Sequence, residues 1–277
     1  MKVYQYTHGA CKDEQEFIVE IDTFLVSTLE WTRVGTITDT AADRDYVWSS
    51  LGEDTDRDPI YIRLRGNGDY IYEYGYGEWQ SATVYWQEIY NSSYTKLGIG
   101  ASPFRYWAFG DKNFICIIIR GNATASKYTF IGYLGYIRSY YPPDKDKRPI
   151  LIHGHPSATT YWDASNLSYM FTANASGVAS YDVLNTHAGI LTYDQCSRIS
   201  SATLWPFPLY YGGVGYKEVR GEPYGVYQVN GAIAGNATHI TTTSGVFLVH
   251  QGNFNSTKTY AYGPIATLSG VSEFEDY

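Results

Sequence analysis

Hydrophobic and polar residues alternate with a period of two in several segments of this chain, and one segment near its start follows a helical period instead. Within residues 12–31 the apolar side chains recur at helical spacing among acidic residues, and they are Phe17, Ile21, Phe24, Leu25 and Leu29. The pattern predicts one amphipathic helix. Asp13 followed by Glu16 predicts a capped first turn, because acidic groups stabilise the amino end of a helix. The apolar side of the helix packs either on its own domain, which we favour, or on a neighbouring subunit.

Two hairpins are predicted where alternating strands flank a glycine-containing turn. Residues 60–65 alternate, a GNGD turn follows at 66–69, and residues 70–76 alternate again. A GDKN turn at 110–113 has the same setting and is followed by the apolar run FICIII at 114–119. That run is too short for a membrane span and too rich in β-branched residues for an ordinary helix. It therefore predicts a central strand that is buried on both faces.

Shorter strands are predicted in the rest of the chain. Residues 31–37 and the aromatic stretch 79–86 have strand character, whereas 38–58 is a polar, acid-rich connection with a short apolar island at 46–48. Residues 204–211 contain two prolines, which favours a sheet edge or an extended arm over a central strand. Three further short strands predict a small C-terminal meander, at residues 224–230, 245–251 and 260–267.

These elements predict a mainly β fold with antiparallel, hairpin-built sheets, sandwich-like or barrel-like, and one amphipathic N-terminal α-helix. A proline-rich and charged stretch at 140–156 interrupts the pattern and is expected to be an exposed connection. We accordingly divide the chain into four parts. They are the N-terminal helix with its lead-in strand (1–35), a central antiparallel β region (36–141), an irregular proline- and polar-rich connection (142–215) and a C-terminal β meander (216–277).

The composition favours protein partners over nucleic acid. The chain has 29 Tyr, 7 Trp and 11 Phe with only 17% charged residues, which is typical of half-buried sheets and of interfaces. A formal net charge of −8 disfavours nucleic acid, because that affinity rests on clustered Lys and Arg. The first fifteen residues contain no apolar segment, so we expect neither a signal peptide nor membrane insertion.

Candidate chemistry is sparse in this sequence. His153 and His155 could share a metal ion on one face of a strand, but two ligands do not make a zinc site, so we expect no metal and no cofactor. The three cysteines are odd in number and too far apart for a disulfide framework, so we expect buried or idle thiols at Cys11, Cys116 and Cys196. The acid-rich residues 39–58 are expected to form a solvated loop, and the nucleotide-binding and nucleophile motifs are missing. We therefore expect no enzymatic activity.

Two segments carry a resemblance to a known group of proteins. Residues 106–117 (YWAFGDKNFICI) and 128–141 (YTFIGYLGYIRSYY), which precede a Pro-Pro pair, resemble virion structural proteins of tailed bacteriophages. Residues 225–229 and 245–254 are similar to the closing strands of those proteins, and the helix ending near Trp31 lies where theirs does. The resemblance implies a component of the tail, of its tip or baseplate, or of the neck or collar. It implies no catalytic residues.

The resemblance and the aromatic composition together predict a non-enzymatic structural subunit of a phage particle. Its expected partners are copies of itself and other virion proteins, and its expected location is the virion, assembled in the bacterial cytoplasm. The candidate residues for the central sheet and its contacts are aromatic: Trp107, Phe109, Tyr133, Tyr136, Tyr140 and Tyr141. Residues 141–148 are expected to be a polar rim. The alternative is a receptor-binding tail protein that binds host-surface glycans. A polysaccharide-cleaving enzyme is a third hypothesis.

Overall fold

The computed structural model describes residues 2–54, 56–57, 59–68, 70–76, 95–98, 103–120, 129–142, 150–153, 172–173, 179–180, 203–206, 209–212, 217–230, 239–251 and 259–267. Helix α1 (Glu14–Thr23) continues as a π-helical turn over Phe24–Thr28. The first ten strands of the described ranges are β1 (Gln5–Cys11), β2 (Thr32–Asp39), β3 (Asp43–Ser50), β4 (Ile60–Asn67), β5 (Tyr70–Tyr76), β6 (Thr95–Gly98), β7 (Phe104–Asp111), β8 (Phe114–Arg120), β9 (Thr129–Gly135) and β10 (Ile137–Ser139). The next ten are β11 (Ile150–His153), β12 (Thr172–Ala173), β13 (Ala179–Ser180), β14 (Thr203–Pro206), β15 (Leu209–Gly212), β16 (Lys217–Pro223), β17 (Val226–Asn230), β18 (His239–Thr242), β19 (Gly245–Gln251) and β20 (Thr259–Ala266).

Three five-stranded antiparallel sheets carry most of the described structure. The central sheet has the order β1-β7-β8-β9-β11, the helix-side sheet has the order β2-β3-β4-β5-β6, and the C-terminal sheet has the order β14-β17-β20-β19-β18. Smaller sheets are formed by β10-β16-β15 and by β12-β13. The mainly β, antiparallel fold with one N-terminal helix is confirmed.

The apolar run 114–119 lies in the middle of the central sheet and is buried on both faces, as predicted. On one face Ile115, Ile117 and Ile119 pack in a core shared with α1 and the helix-side sheet. On the other face Phe114, Cys116 and Ile118 pack in a second core, which Val226, Leu248 and Tyr262 complete from the C-terminal sheet. The central sheet is therefore covered on both sides, and burial from two directions explains why this strand lacks the polar alternation of an exposed sheet.

Helix α1 packs on its own chain, which confirms the favoured prediction. Its cap is also as predicted, since the Glu16 backbone N–H donates to Asp13 Oδ1 at 2.8 Å and the Lys12 N–H donates to Glu16 Oε2 at 2.7 Å. The fully buried Phe17 ring lies 5.4 Å from the Tyr106 ring of β7. Gly66 of β4 faces the start of the helix, and a Cβ there would lie only 2.8 Å from the Glu14 carbonyl oxygen.

The prediction that residues 38–58 form a polar connection is wrong for its middle part. A complete strand, β3, covers 43–50 rather than a short island at 46–48. Its acidic residues are neutralised across the sheet, because Asp45 accepts two hydrogen bonds from Arg63 and Asp43 accepts two from Arg65 of β4. The arginines lie about twenty positions further along the chain, so local polarity gave no sign of this pairing.

The other strand predictions fall into three groups. Both hairpins, β4–β5 and β7–β8, are confirmed, and so are the C-terminal strands β17, β19 and β20. Strand β14, which contains Pro206, and strand β15, which begins just after Pro208, are outermost in their sheets, as predicted. Strand β11 arises within the predicted connection and pairs with β9, and β18 arises in a stretch predicted as a spacer. The predicted strand at 79–86 lies outside the described residues, and the division into four parts stays a prediction.

Candidate interaction surface

Asn113, in the turn between β7 and β8, forms hydrogen bonds to several segments at one end of the central sheet. Its backbone N–H donates to Asp111 Oδ1 at 2.7 Å, and its carbonyl accepts from the Tyr136 N–H at 2.8 Å. Its side-chain Oδ1 accepts from the Glu53 N–H at 2.9 Å. The residue is 8% exposed, so these bonds are shielded from water. One asparagine thus joins the β7–β8 turn to the loop after β3 and to the junction of β9 and β10.

Further polar contacts hold the same end. The Ser50 hydroxyl donates to the Lys112 carbonyl at 2.6 Å, and the Trp31 indole N–H donates to the Asp111 carbonyl at 2.9 Å. The Lys2 ammonium bridges Glu53 at 2.7 Å and Asp111 at 2.9 Å. Because its turn carbonyls and loop N–H groups have partners, this end is a fixed platform rather than a loose set of loops.

A cluster of packed aromatic side chains adjoins the platform. Tyr133 is fully buried, and its hydroxyl donates to the Tyr136 carbonyl and accepts from the Tyr224 N–H at 3.1 Å. The Phe114 ring stacks on Tyr133, with centroids 5.2 Å apart, and on Tyr224, with centroids 5.7 Å apart. Burial raises the pKa of Tyr133 well above its ordinary value, so its hydroxyl stays protonated and can keep donating.

Three exposed apolar side chains lie on chain segments that lead into or out of this platform. Leu51 is 66% exposed, Tyr140 is 56% exposed and Val3 is 37% exposed. Leu51 adjoins Gly52, which contacts the Tyr136 ring, and Val3 adjoins Lys2, which binds the turn. We call the side chains of Val3, Leu51 and Tyr140 the turn-end surface. Large exposed apolar side chains next to an ordered set of turns are candidates for contact with another protein.

Charged groups lie on the segments next to the turn-end surface. The Tyr140 hydroxyl donates to Glu222, Lys112 pairs with Glu30, and Arg57 Nε lies 3.7 Å from Asp54 Oδ2. These groups resemble the polar, partly hydrated rim of a protein interface, whereas the apolar side chains resemble its centre.

The candidate aromatic residues separate into core and surface. Phe109 and Tyr133 are fully buried and Tyr136 is 1% exposed, so all three belong to the interior of this chain. Tyr140 is exposed and Tyr141 is half-buried, which leaves them accessible to a partner. Leu51 and Val3 were not predicted, because a single leucine or valine in a polar segment gives no periodic signal.

Trp107 belongs to a second group, on the face of the central sheet that packs against the C-terminal sheet. Its ring is half-buried, and it stands opposite His8 in the register of β7 with β1. The Tyr6 and His8 rings lie 5.4 Å apart, and the exposed Arg105 is two positions before Trp107. Burial lowers the pKa of His8, which favours its neutral form. We call Tyr6, His8 and Trp107 the aromatic strip.

The described part of the chain shows no group of three or more His, Cys, Asp and Glu side chains arranged to hold a metal. None of its helices has the length and apolar character that crossing a bilayer requires. Cys11 and Cys116 are buried free thiols, and burial raises the pKa of Cys11 to about 12, so that thiol is a poor nucleophile at neutral pH. His155 and Cys196 lie outside the described residues. No family model matches this chain, and no curated protein sequence matches it.

Proposed function

We propose that this chain is a non-enzymatic structural subunit of a tailed-phage particle, in the tail, the tail tip or baseplate, or the neck or collar. It assembles with copies of itself and with other virion proteins through the turn-end surface. The observation that carries the proposal is the exposure of Leu51 and Tyr140 on an end that Asn113 holds in place. A surface that is already ordered loses little conformational entropy when a partner binds.

The resemblance to virion proteins supports the proposed class of particle. Its two segments, 106–117 and 128–141, contribute β7, β8, β9 and β10, which build the platform beneath Tyr140. Part of the resemblance therefore lies in the strands that lead to Tyr140.

Substitution of the two most exposed side chains tests the proposal. Leu51→Asp combined with Tyr140→Asp places charge at the centre of the turn-end surface, and burying an unpaired charge in an interface is costly. We expect the purified chain to form oligomers in solution and the double variant to have the mass of one chain by light scattering. The matched control is Val26→Asp in the π-helical turn that follows α1, another exposed apolar position, which should leave the mass unchanged. A strictly monomeric wild-type chain, or a double variant of unchanged mass, contradicts the proposal.

A second candidate function is a host-surface carbohydrate-binding adhesin, and the aromatic strip favours it. A half-buried Trp107 ring opposite His8 and two positions from the exposed Arg105 combines a stacking face with a hydrogen-bond donor, as sugar sites require. Glycan-array binding that Trp107→Ala abolishes would support this function. A wild-type chain that binds no glycan on the array would leave the structural role as the better account.

A further inference from the structure

Two arginines flank Tyr224 beside the turn-end surface. The Arg57 guanidinium lies 4.9 Å from the centre of the Tyr136 ring, and its Nη1 donates to the Ile137 carbonyl at 3.4 Å. The Arg138 guanidinium lies 5.9 Å from the centre of the Tyr224 ring. Burial raises the pKa of Tyr224, and the positive charges of both arginines oppose that rise, in agreement with their positions near its hydroxyl.

Arg57 has a donor that the described residues do not satisfy. Its side chain is only 10% exposed, and its buried Nε makes no hydrogen bond there. The carboxylate of Asp54 is 3.7 Å away, which is beyond hydrogen-bond distance. A buried N–H without an acceptor costs free energy that an incoming oxygen recovers.

Arg138 is exposed and also has unused donors. It stands opposite Glu222 in the pairing of β10 with β16, but the Glu222 carboxylate accepts from the Tyr140 hydroxyl. Across the described ranges the Arg138 guanidinium makes neither a hydrogen bond nor an ion pair, and it lies over the Tyr224 ring. The mostly buried Arg57, beside Tyr136, and the exposed Arg138, two residues before Tyr140, therefore each retain donors that make no hydrogen bond to the described residues.

We propose that Arg57 and Arg138 bind carboxylates from the segment 268–277 of a second copy of this chain. This inference rests on the proposed function and names the partner chemistry of the same surface. The segment reads LSGVSEFEDY, so Glu273, Glu275 and Asp276 accompany two aromatic residues. Guanidinium groups form their strongest hydrogen bonds with carboxylates, and the aromatic rings suit contact with Leu51 and Tyr140.

The end of β20 lies close to the arginines. Its Pro264 carbonyl accepts from the Tyr4 N–H at 2.9 Å, and its Gly263 N–H donates to the carbonyl of Gly225, the residue after Tyr224, at 2.9 Å. The acidic segment thus begins at the same end of the molecule as the turn-end surface. The six Cα–Cα steps from Thr267 to Glu273 span at most about 20 Å, which is enough to reach a copy whose turn-end surface faces this one.

A labelled peptide of residues 268–277 tests the site on the full-length chain. Fluorescence anisotropy should show binding that weakens as salt is added. We expect at least tenfold weaker binding for Arg138→Glu, and for a peptide with Gln and Asn in place of Glu273, Glu275 and Asp276. The matched control, Arg105→Glu at another exposed arginine, should bind like the wild type. Equal binding of the acidic and neutral peptides, or unchanged binding by the Arg138 variant, overturns the proposal.

Charge exchange between copies tests whether the contact joins two chains. One variant carries Arg138→Glu, and the other carries Glu273→Lys, Glu275→Lys and Asp276→Lys. We expect each alone to self-associate less than the wild type and the mixture to form a heterodimer, because the first supplies acidic residues and the second supplies Arg138. Peptide binding without a heterodimer would mean that the segment binds its own copy, which contradicts the proposal. Wild-type-like self-association of both variants would overturn the arginine site while leaving the turn-end surface intact.

Discussion

The guanidinium of Arg63 and the carboxylate of Asp45 form a buried, two-point ion pair between β4 and β3, with Nε to Oδ1 at 2.6 Å and Nη2 to Oδ2 at 2.5 Å. Only 6% and 1% of the two side chains are exposed. Burial raises the pKa of Asp45, and the hydrogen bonds from Arg63 oppose that rise. In the strand register Asp45 stands opposite Arg65 and Arg63 stands opposite Val47, so the pair is diagonal and fixes how β3 lies against β4.

Removal of one partner of this pair should be strongly destabilising. Asp45→Asn leaves the Arg63 charge buried without a counterion, and we expect a loss of about 3–5 kcal/mol in the free energy of unfolding. Urea denaturation followed by circular dichroism measures the loss. Asp39→Asn is the control, because Asp39 is 53% exposed in its pair with Arg44 and should lose less than about 1 kcal/mol. Equal losses at the two positions would refute a stabilising role for the buried pair.

Protonation of Asp43 should lower the free energy of unfolding in acid. The hydrogen bond from Arg65 is the main cause that lowers its pKa in the folded chain. Stability from a lowered pKa is present above the unfolded value, about 4, and is lost as the pH falls toward the folded value. Urea midpoints measured from pH 6 to pH 3 should therefore decrease, and the decrease should be smaller in Asp43→Asn. Identical pH profiles of the two proteins would contradict this assignment.

Replacement of Gly52 by alanine should destabilise the fold more than replacement of Gly68. Both residues have positive φ, 69° and 55°, so an alanine at either position strains the backbone. At Gly52 the added Cβ would also lie 2.7 Å from the Tyr136 ring, whereas at Gly68 nothing lies within 4 Å. We expect about 1 kcal/mol of destabilisation for Gly68→Ala and clearly more for Gly52→Ala in urea denaturation. A Gly52 variant no less stable than the Gly68 variant would argue against the tight loop packing.

The Tyr133 hydroxyl should contribute to stability although it contacts no solvent. Tyr133→Phe leaves the Tyr136 carbonyl and the Tyr224 N–H without this partner, and we expect a loss of about 1–3 kcal/mol. Tyr140→Phe is the control, because that hydroxyl bonds Glu222 at the exposed surface and water can replace it. Similar unfolding midpoints for the two variants would show that the buried bonds contribute little.

The sequence predicted those elements whose signals are local. The apolar run 114–119 identified the central strand, and Asp13 with Glu16 identified the start of the helix, because neighbouring residues create both patterns. Strand β3 was missed because Asp45 and Arg63 are compatible with a buried strand only as a pair, and their pairing depends on the fold. The same limit applies to β11, whose four residues become a strand edge only beside β9.

The candidate surface was only partly predictable. Tyr140 was identified from aromatic content, and this criterion could not separate it from Phe109 and Tyr136, which are core residues. Leu51 and the bonding role of Asn113 depend on contacts between segments about sixty positions apart. Exposure and long-range hydrogen bonds are properties of the folded chain, and no short pattern in the sequence encodes them.

The proposed virion role is tested most directly by a cryo-EM reconstruction of an intact phage particle whose genome encodes this sequence. We expect density for the chain in the tail, baseplate or neck, with the side chains of Leu51 and Tyr140 buried against a neighbouring subunit. A particle without this chain, or one in which both side chains face solvent in every copy, would contradict its assignment as a virion subunit that assembles through the turn-end surface.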